Sequence, residues 1–428
     1  MVVGGGVAGI QASLDLAELG YYVYLVESSS AIGGVMAQLD KTFPTNDCSM
    51  CILSPKLVEC GRHLNIELLT LSEVVNVSGT QGNFQVQVIH HPRYVDINKC
   101  IACGLCAEKC PKKIDDEYEV GLAKRKAIHI KYAQAVPLKY AIDPTHCIYL
   151  QKGKCRVCEK VCLVGAIDYE QKDSFVEERV GAIIASVGFD LIPKERFGEY
   201  GYGEIPDVID GLAFERLNSA SGPTTGEIRR PSDGKIPKEV VFIQCTGSRD
   251  PDRYMPYCSR VCCMYTGKHA RLYKHKVHDG QAYIFYMDIR STGKGYEEFI
   301  QQGMEEEGIL YLRGRVSRIF QDGDKVIVWG ADTLTGKKVE VSADMVVLAT
   351  ALISQKDTKE LAQKLGIAAD EYGFLTEVER KLRPVETNVE GVYLAGCSQG
   401  PKDIADAVAH ANAAASKVQG LFAQHKDD

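Results

Sequence analysis

Cysteines dominate the chemistry open to this chain of 428 residues, which carries 16 of them. Cys100, Cys103, Cys106 and Cys110 are separated by two, two and three residues, with Pro111 behind the last. Cys147, Cys155, Cys158 and Cys162 repeat the run with a lengthened first gap. Thiolates two residues apart reach different irons of one cube, and in paired runs the fourth cysteine serves the other cluster. The implied sets are Cys100, Cys103, Cys106 with Cys162, and Cys147, Cys155, Cys158 with Cys110. A zinc ribbon competes for such thiols, but a closed four-coordinate site does not need eight of them in a double pattern. Two 4Fe–4S clusters, close enough to exchange electrons, are therefore expected. A further group, Cys245, Cys258, Cys262 and Cys263, is less generic. Adjacent ligating cysteines are unusual, so spacing alone leaves a third cluster and buried structural thiols both open.

The elements that must position these thiols start with a glycine turn. Gly4, Gly6 and Gly9 follow an apolar stretch and open "IQASLDLAELG", where Ile10, Leu14, Ala17 and Leu19 suit one helix face and Gly20 can end it. "YYVYLVE" then reads as a strand ending at Glu27. The glycines allow close approach of a pyrophosphate to the helix N-terminus, and the acid accepts from a ribose hydroxyl. "MVVGGG" leaves the first strand only about three residues, where about five or six are usual, so residues upstream are expected. The cysteine runs fall between "FQVQVIHHPRYVDINK", a strand of this nucleotide domain, and its return strand "GAIIASVGFD". They form an insertion within electron-transfer reach of the bound nucleotide.

Composition narrows the function classes. A net charge of −7 with 45% apolar and 25% charged residues describes a well-buried protein of two to three domains, not a nucleic-acid binder. No apolar run is long enough to span a membrane, and no signal-peptide pattern is present, which predicts a cytoplasmic protein that reaches a membrane only through partners. Many cysteines in an unsecreted chain point to metal or redox work rather than disulfides. His90, His91, His129, His146 and His410 lack metal-ligand spacing, and Glu305, Glu306 and Glu307 read as the solvated face of a helix.

Residues 390–418, "EGVYLAGCSQGPKDIADAVAHANAAASKV", resemble the second flavin-contact motif of the thioredoxin and glutathione reductase superfamily. The resemblance implies FAD, and adds Gly33, Gly34, Gly396 and Ala405 to the dinucleotide contacts. The acid usual after "AG" is Cys397 here, a small buried residue on our reading. "GAIIASVGFD" and "DMVVLATAL" resemble the strands where such chains cross between domains. The superfamily's middle domain carries its own glycine fingerprint for NAD(P)H, yet "EVVFIQC" runs into "TGSRDPDRY" instead. The fold expected is α/β: two Rossmann-like, thioredoxin-reductase-type domains with an inserted two-cluster ferredoxin (α+β) module. Its parts are an FAD-binding domain (1–95), the insertion (96–170), a return strand (171–198), a degenerate NAD(P)H-type domain carrying the cysteine group (199–352), and the C-terminal part of the FAD domain (353–428).

"PTNDCSMCILSPKLVEC", "IQCTGSRD" with "YCSRVCC", "IFYMDIRSTGKGYEEF", "RGRV" and "LAGCSQGPKDIADAVAHA" resemble the A subunits of heterodisulfide reductases and their relatives, from residue 1 to about 420. The resemblance implies FAD, the ferredoxin insertion and a third 4Fe–4S cluster at Cys245, Cys258, Cys262 and Cys263. It also implies an electron-transfer flavoprotein subunit of a heterodisulfide-reductase-like complex, relaying or bifurcating electrons with partner subunits. The alternatives are a flavoprotein of the quinone-interacting oxidoreductase of sulfate reducers, a stand-alone NAD(P)H-dependent disulfide reductase, and an assembly subunit with structural clusters. A homodimer of such subunits is a further expectation. Cys48, Cys51 and Cys60 have three readings: a flavin-facing redox pair, ligands of another cluster, or structural thiols. Lys56 beside them is a candidate to tune a flavin by its charge.

Overall fold

The computed structural model describes residues 1–424. The chain divides into two compact units, Met1–Ala37 with Ile52–Phe189 and Ser354–Asp428, and Gln38–Cys51 with Asp190–Ile353. Each unit has the same plan, a five-stranded parallel sheet beside a three-stranded antiparallel one.

In the first unit the parallel order is Val392–Leu394, Ile183–Ala185, Val2–Val3, Val23–Glu27, Ile66–Thr70. The short first strand is central, with Val2 paired to Ile184 on one side and Leu25 on the other. Both faces of this sheet are covered, and its strands accordingly read as apolar runs rather than alternating ones. The helix Val7–Glu18 packs against Ile404–Gln424. It ends as expected before Gly20, whose φ of +87° suits a glycine. Leu19 corrects the helix-face assignment: it lies past the last helical turn and is 48% exposed.

The antiparallel sheet has Asn83–His90 between Ser72–Thr80 and Ser174–Val180. Val74, Phe84, Val86 and Val88 carry its inner face into a core with Ile183, Leu375 and Leu394. The cysteine insertion leaves this sheet at His90 and returns at Ser174. It is built from three one-turn helices, Leu105–Lys109, Ile148–Lys152 and Val157–Val161, and two strand pairs.

In the second unit the parallel order is Val208–Asp210, Met345–Thr350, Glu239–Thr246, Gln281–Tyr286, Leu310–Arg313. Glu239–Thr246 therefore occupies the central place that Val2–Val3 has in the first unit. From its end the chain makes an excursion that leads into the helix Cys262–Lys276. The segment Gln38–Cys51 belongs to this unit, with Phe43 packed edge-on against Tyr296 at 5.5 Å. The acidic triplet is also corrected in part. The helix Tyr296–Glu305 stops before Glu307, whose carboxylate is 12% exposed and accepts from Arg271 Nε at 2.8 Å.

Candidate functional site

The glycine turn has the geometry of a phosphate cradle. A Cβ on Gly9 would stand 1.8 Å from Gly4 O, and one on Gly34, at φ +57°, 2.8 Å from Gly6 Cα. Any side chain at either place would close the turn. Gly6 caps the helix Val7–Glu18 without a side-chain hydrogen bond, so the first-turn amides are left for an anion. Glu27 is fixed at its strand end: Oε2 accepts from Gly5 N at 2.8 Å and Oε1 from Ser29 N at 2.9 Å. Gly33 abuts Gly5, its N–H donating to Gly5 O at 2.8 Å. Gly396, at φ +65°, faces Ala8, and Ala405 is exposed in the first turn of Ile404–Gln424. Cys397 is half-buried, its Sγ 3.4 Å from Lys402 O. These residues fit a dinucleotide.

The insertion reaches the same cradle. Tyr132 donates to Ile32 O, Lys131 Nζ lies 2.6 Å from Ser29 Oγ, and Tyr118 donates to Ala37 O at 2.5 Å. Arg93, at the root of the insertion, is buried and donates to Ser30 O and Thr70 Oγ1, both at 2.8 Å. Neither Lys131 nor Arg93 stood out in the sequence, because nothing local marks a buried cation. The two cysteine runs share one local shape. Cys106 sits in a one-turn helix capped by Gly104 at φ +90°, and Cys158 in one capped by Arg156 at φ +71°. Cys110, Cys147, Cys155 and Cys158 line one small cavity of about 20 Å³. The fourth cysteine of the first run thus stands with three of the second. On the other side Cys106 is close to Cys100 and Cys103, and burial pushes its thiol up to about 12. Lys139 Nζ donates to Cys100 O at 2.5 Å and Lys126 to Cys110 O, so cations hold both ends of the first run.

In the second unit Cys245 stands one residue before the end of the central strand, in the left-handed region at φ +58°, and Cys262 and Cys263 open the following helix. Their thiols form a chain, Cys245 to Cys262 to Cys263. Cys262's hydrogen bond, with help from the Arg249 guanidinium, brings Cys245 down to about 7. Arg249 is itself clamped on Asp288, one arm at 3.0 Å. Cys258 is half-buried, its Sγ accepting from Arg260 N at 3.2 Å. Among the described residues no three His, Cys, Asp or Glu groups converge on a single-ion position. Thiols that ligate separate irons of a cube are not required to do so.

Cys48 and Cys51 form a disulfide with Cα atoms 5.2 Å apart. Cys60 is fully buried, and burial pushes its thiol up to about 12, which suits a structural role. Lys56 is half-exposed and pairs with Glu59 at 3.6 Å.

A buried ionic triad was not legible in the sequence. Glu215 Oε1 accepts from Lys268 Nζ and lies 2.5 Å from His269 Nε2, with all three side chains at most 3% exposed. Glu215 Oε2 accepts from Asp40 N at 3.0 Å, and Lys268 Nζ donates to Lys41 O at 2.7 Å. Burial would raise the Glu215 carboxyl, but Lys268 and His269 hold it well below the carboxylate range. Burial lowers His269 instead, which favours the neutral ring.

Comparison with known proteins places these features. Residues 271–412 match the pyridine nucleotide-disulphide oxidoreductase family and residues 93–114 the 4Fe-4S binding domain. The chain is 50% identical over 426 residues to the iron-sulfur A subunit of the CoB--CoM heterodisulfide reductase of Methanocaldococcus jannaschii, covering 99% of this chain and 64% of that one. It is 48% identical over 419 residues to the A subunit of the H(2):CoB-CoM heterodisulfide,ferredoxin reductase of Methanothermobacter marburgensis, covering 98% and 63%. A protein of Archaeoglobus profundus, named as like the A subunit of heterodisulfide reductase, is 45% identical over 467 residues, covering 100% and 66%. The chain thus spans just under two-thirds of the length of these relatives. Thioredoxin reductases of Lactococcus lactis and T. acidophilum share the fold, with TM-scores of 0.54 and 0.53 at 16% identity. They cover 99% and 97% of this chain, and 98% and 96% of those structures. The architecture is thioredoxin-reductase-like, with a 4Fe–4S-binding segment.

Proposed function

The chain is a homologue of the heterodisulfide reductase A subunits along nearly its whole length, and on that footing we propose that it is a flavin and iron–sulfur electron-transfer subunit of a cytoplasmic heterodisulfide-reductase-like complex. The carrying observation is the first unit, where a dinucleotide cradle and a thiolate insertion with a crossed fourth cysteine meet in one fold. FAD supplies the exchange between two-electron and one-electron chemistry, and 4Fe–4S clusters supply one-electron carriers. Gly4, Gly6, Gly9, Gly33 and Gly34 give the backbone approach for FAD, Glu27 holds its ribose, and Gly396 and Ala405 border its remainder. Cys100, Cys103, Cys106 and Cys162 hold one cluster; Cys147, Cys155, Cys158 and Cys110 hold the second. Cys245, Cys258, Cys262 and Cys263 hold a third, at the place in the second unit where a nucleotide-binding fold has its glycine turn. Partner subunits supply the terminal donor and acceptor.

The Cys48–Cys51 disulfide favours a second reading, an NAD(P)H-dependent disulfide reductase. One anaerobic titration separates the two. About twelve irons per FAD, bleached by dithionite but not by NADH or NADPH, support the relay with three 4Fe–4S clusters. Stoichiometric bleaching by a pyridine nucleotide refutes it and selects the reductase.

A further inference from the structure

We infer that Tyr169 raises the potential of the cluster at Cys110, Cys147, Cys155 and Cys158, making that cluster more readily reduced than it would be without the phenol. The inference rests on the cluster assignment proposed above. The Tyr169 hydroxyl lies 2.9 Å from Cys158 Sγ, and the residue is 8% exposed. Its ring packs on Tyr149 with centroids 4.3 Å apart, and the Arg156 guanidinium sits 5.0 Å from the Tyr149 centroid and 5.6 Å from that of Tyr169. Arg156 is held there by Glu159, with Nε to Oε2 at 2.6 Å. The hydroxyl is thus fixed on the sulfur rather than free to rotate toward water.

An iron-bound thiolate has no proton to give, so in the loaded protein the phenol is the donor. A phenol ordinarily loses its proton only near pH 10, and burial pushes Tyr169 upward from there, so it keeps that proton at neutral pH. A donated hydrogen bond draws charge from the sulfur and stabilises the more negative, reduced cluster; hydrogen bonds to the sulfurs are among the factors that set these potentials. Reduction adds one electron and moves no proton, because Tyr169 retains its own.

The first set lacks this device. Cys106 occupies the position in Leu105–Lys109 that Cys158 occupies in Val157–Val161. Tyr140 is its aromatic neighbour. Among the described residues no hydroxyl donor to Cys106 Sγ is found; the Ala107 amide attends it, as the Glu159 amide attends Cys158. In the first set Cys162 Sγ accepts from the Ala166 amide at 3.2 Å, so two thiolate sets of like local shape differ in the kind of donor, and the phenol is particular to the second.

The test compares the intact holoprotein with Tyr169→Phe, which keeps the ring and deletes the hydroxyl, by EPR-monitored titration with dithionite and by iron analysis. With iron content unchanged, one iron–sulfur midpoint falls and the others stay. The expected change is about tenfold in that cluster's reduced-to-oxidised ratio at fixed potential, equivalent to 59 mV for one electron. Resonance Raman adds a structural readout: Fe–S stretches that shift in deuterated solvent in the wild type lose part of that sensitivity in the variant. Unchanged midpoints at full iron content overturn the inference and leave the clusters standing. Loss of iron from the variant overturns it too, since the hydroxyl would then be needed for assembly of the cluster rather than for its potential. A wild-type chain that binds no iron overturns both this inference and the cluster assignment.

Discussion

Replacing Lys268 by methionine should destabilise the second unit severely, and in a pH-dependent way. Lys268 and Glu215 are 2% and 3% exposed, and the lysine also donates to Lys41 O. Methionine fills the same volume but leaves the Glu215 carboxylate facing only His269, whose ring burial keeps neutral, and the Asp40 amide. Breaking one side of a buried ion pair costs about 3–5 kcal/mol. For a unit of this size about 1 kcal/mol moves the midpoint by about 2–4 °C, so the second transition should fall by roughly 6–20 °C. The protein has two units, so the readout is a melt followed anaerobically at one scan rate, with the transitions resolved.

In the wild type the depressed Glu215 carboxyl contributes stability that is present above the unfolded value of about 4.3 and is lost as pH falls through its lower folded value. In Lys268→Met burial is no longer opposed, so the folded carboxyl rises above the unfolded one. The sign reverses: stability is then retained at low pH and lost as pH rises through the raised value. The gap between variant and wild type must therefore narrow from pH 7 to pH 5. Adding Glu215→Gln removes the buried charge, and the double variant should be more stable than Lys268→Met alone. A gap below about 1 kcal/mol would match an exposed pair. Either that, a gap independent of pH, or a double variant worse than the single, refutes the assignment of a buried charge triad.

Three further outcomes are expected of the first unit. Gly9→Ala places a methyl 1.8 Å from Gly4 O. A strain of about 1–3 kcal/mol should cut FAD retained after gel filtration by up to about 100-fold while iron content holds; full FAD occupancy would deny the cradle its role. Cys110→Ser should remove the same EPR signal as Cys147→Ser and spare the one lost in Cys100→Ser, because Cys110 lines the cavity of the second run. Cys60, whose thiol burial pushes up to about 12, stays protonated at any ordinary pH. Mass spectrometry after iodoacetamide at pH 8 should find it unmodified in the native protein and alkylated after unfolding.

The features legible in the sequence are those that depend on neighbours in the chain. Gly4, Gly6 and Gly9 are demanded by a turn that closes within six residues, and the ferredoxin thiols by reach across two or three. The spacing also predicts a crossed fourth cysteine, and Cys110 lines the same small cavity as Cys147, Cys155 and Cys158. Illegible features are those decided by partners far along the chain. In "TGKHARLYKHK" the charges of Lys268 and His269 look like a wet helix face. Only Glu215, 53 residues earlier, turns them inward. Glu307 is drawn in by Arg271 in the same way. The transfer of Gln38–Cys51 to the second unit likewise depends on packing, Phe43 on Tyr296, that no local pattern announces.

The two units state the division of labour in their topology. Both place a central strand beside the point where strand order reverses, the position at which open α/β sheets bind ligands. In the first unit the chain leaves that strand through glycines and presents bare amides. In the second it leaves through Cys245 and returns with Cys262 and Cys263, where Cys262 and the Arg249–Asp288 pair stand beside the Cys245 thiol. Amides at a helix N-terminus favour an anion, and a guanidinium beside a thiol favours the thiolate. One sheet design thus presents amides at the end of one central strand and thiols at the end of the other. Restoring a glycine turn at 245–248 without removing Cys262 and Cys263 should therefore yield no NAD(P)H binding, because the helix start would still be closed by the two thiols.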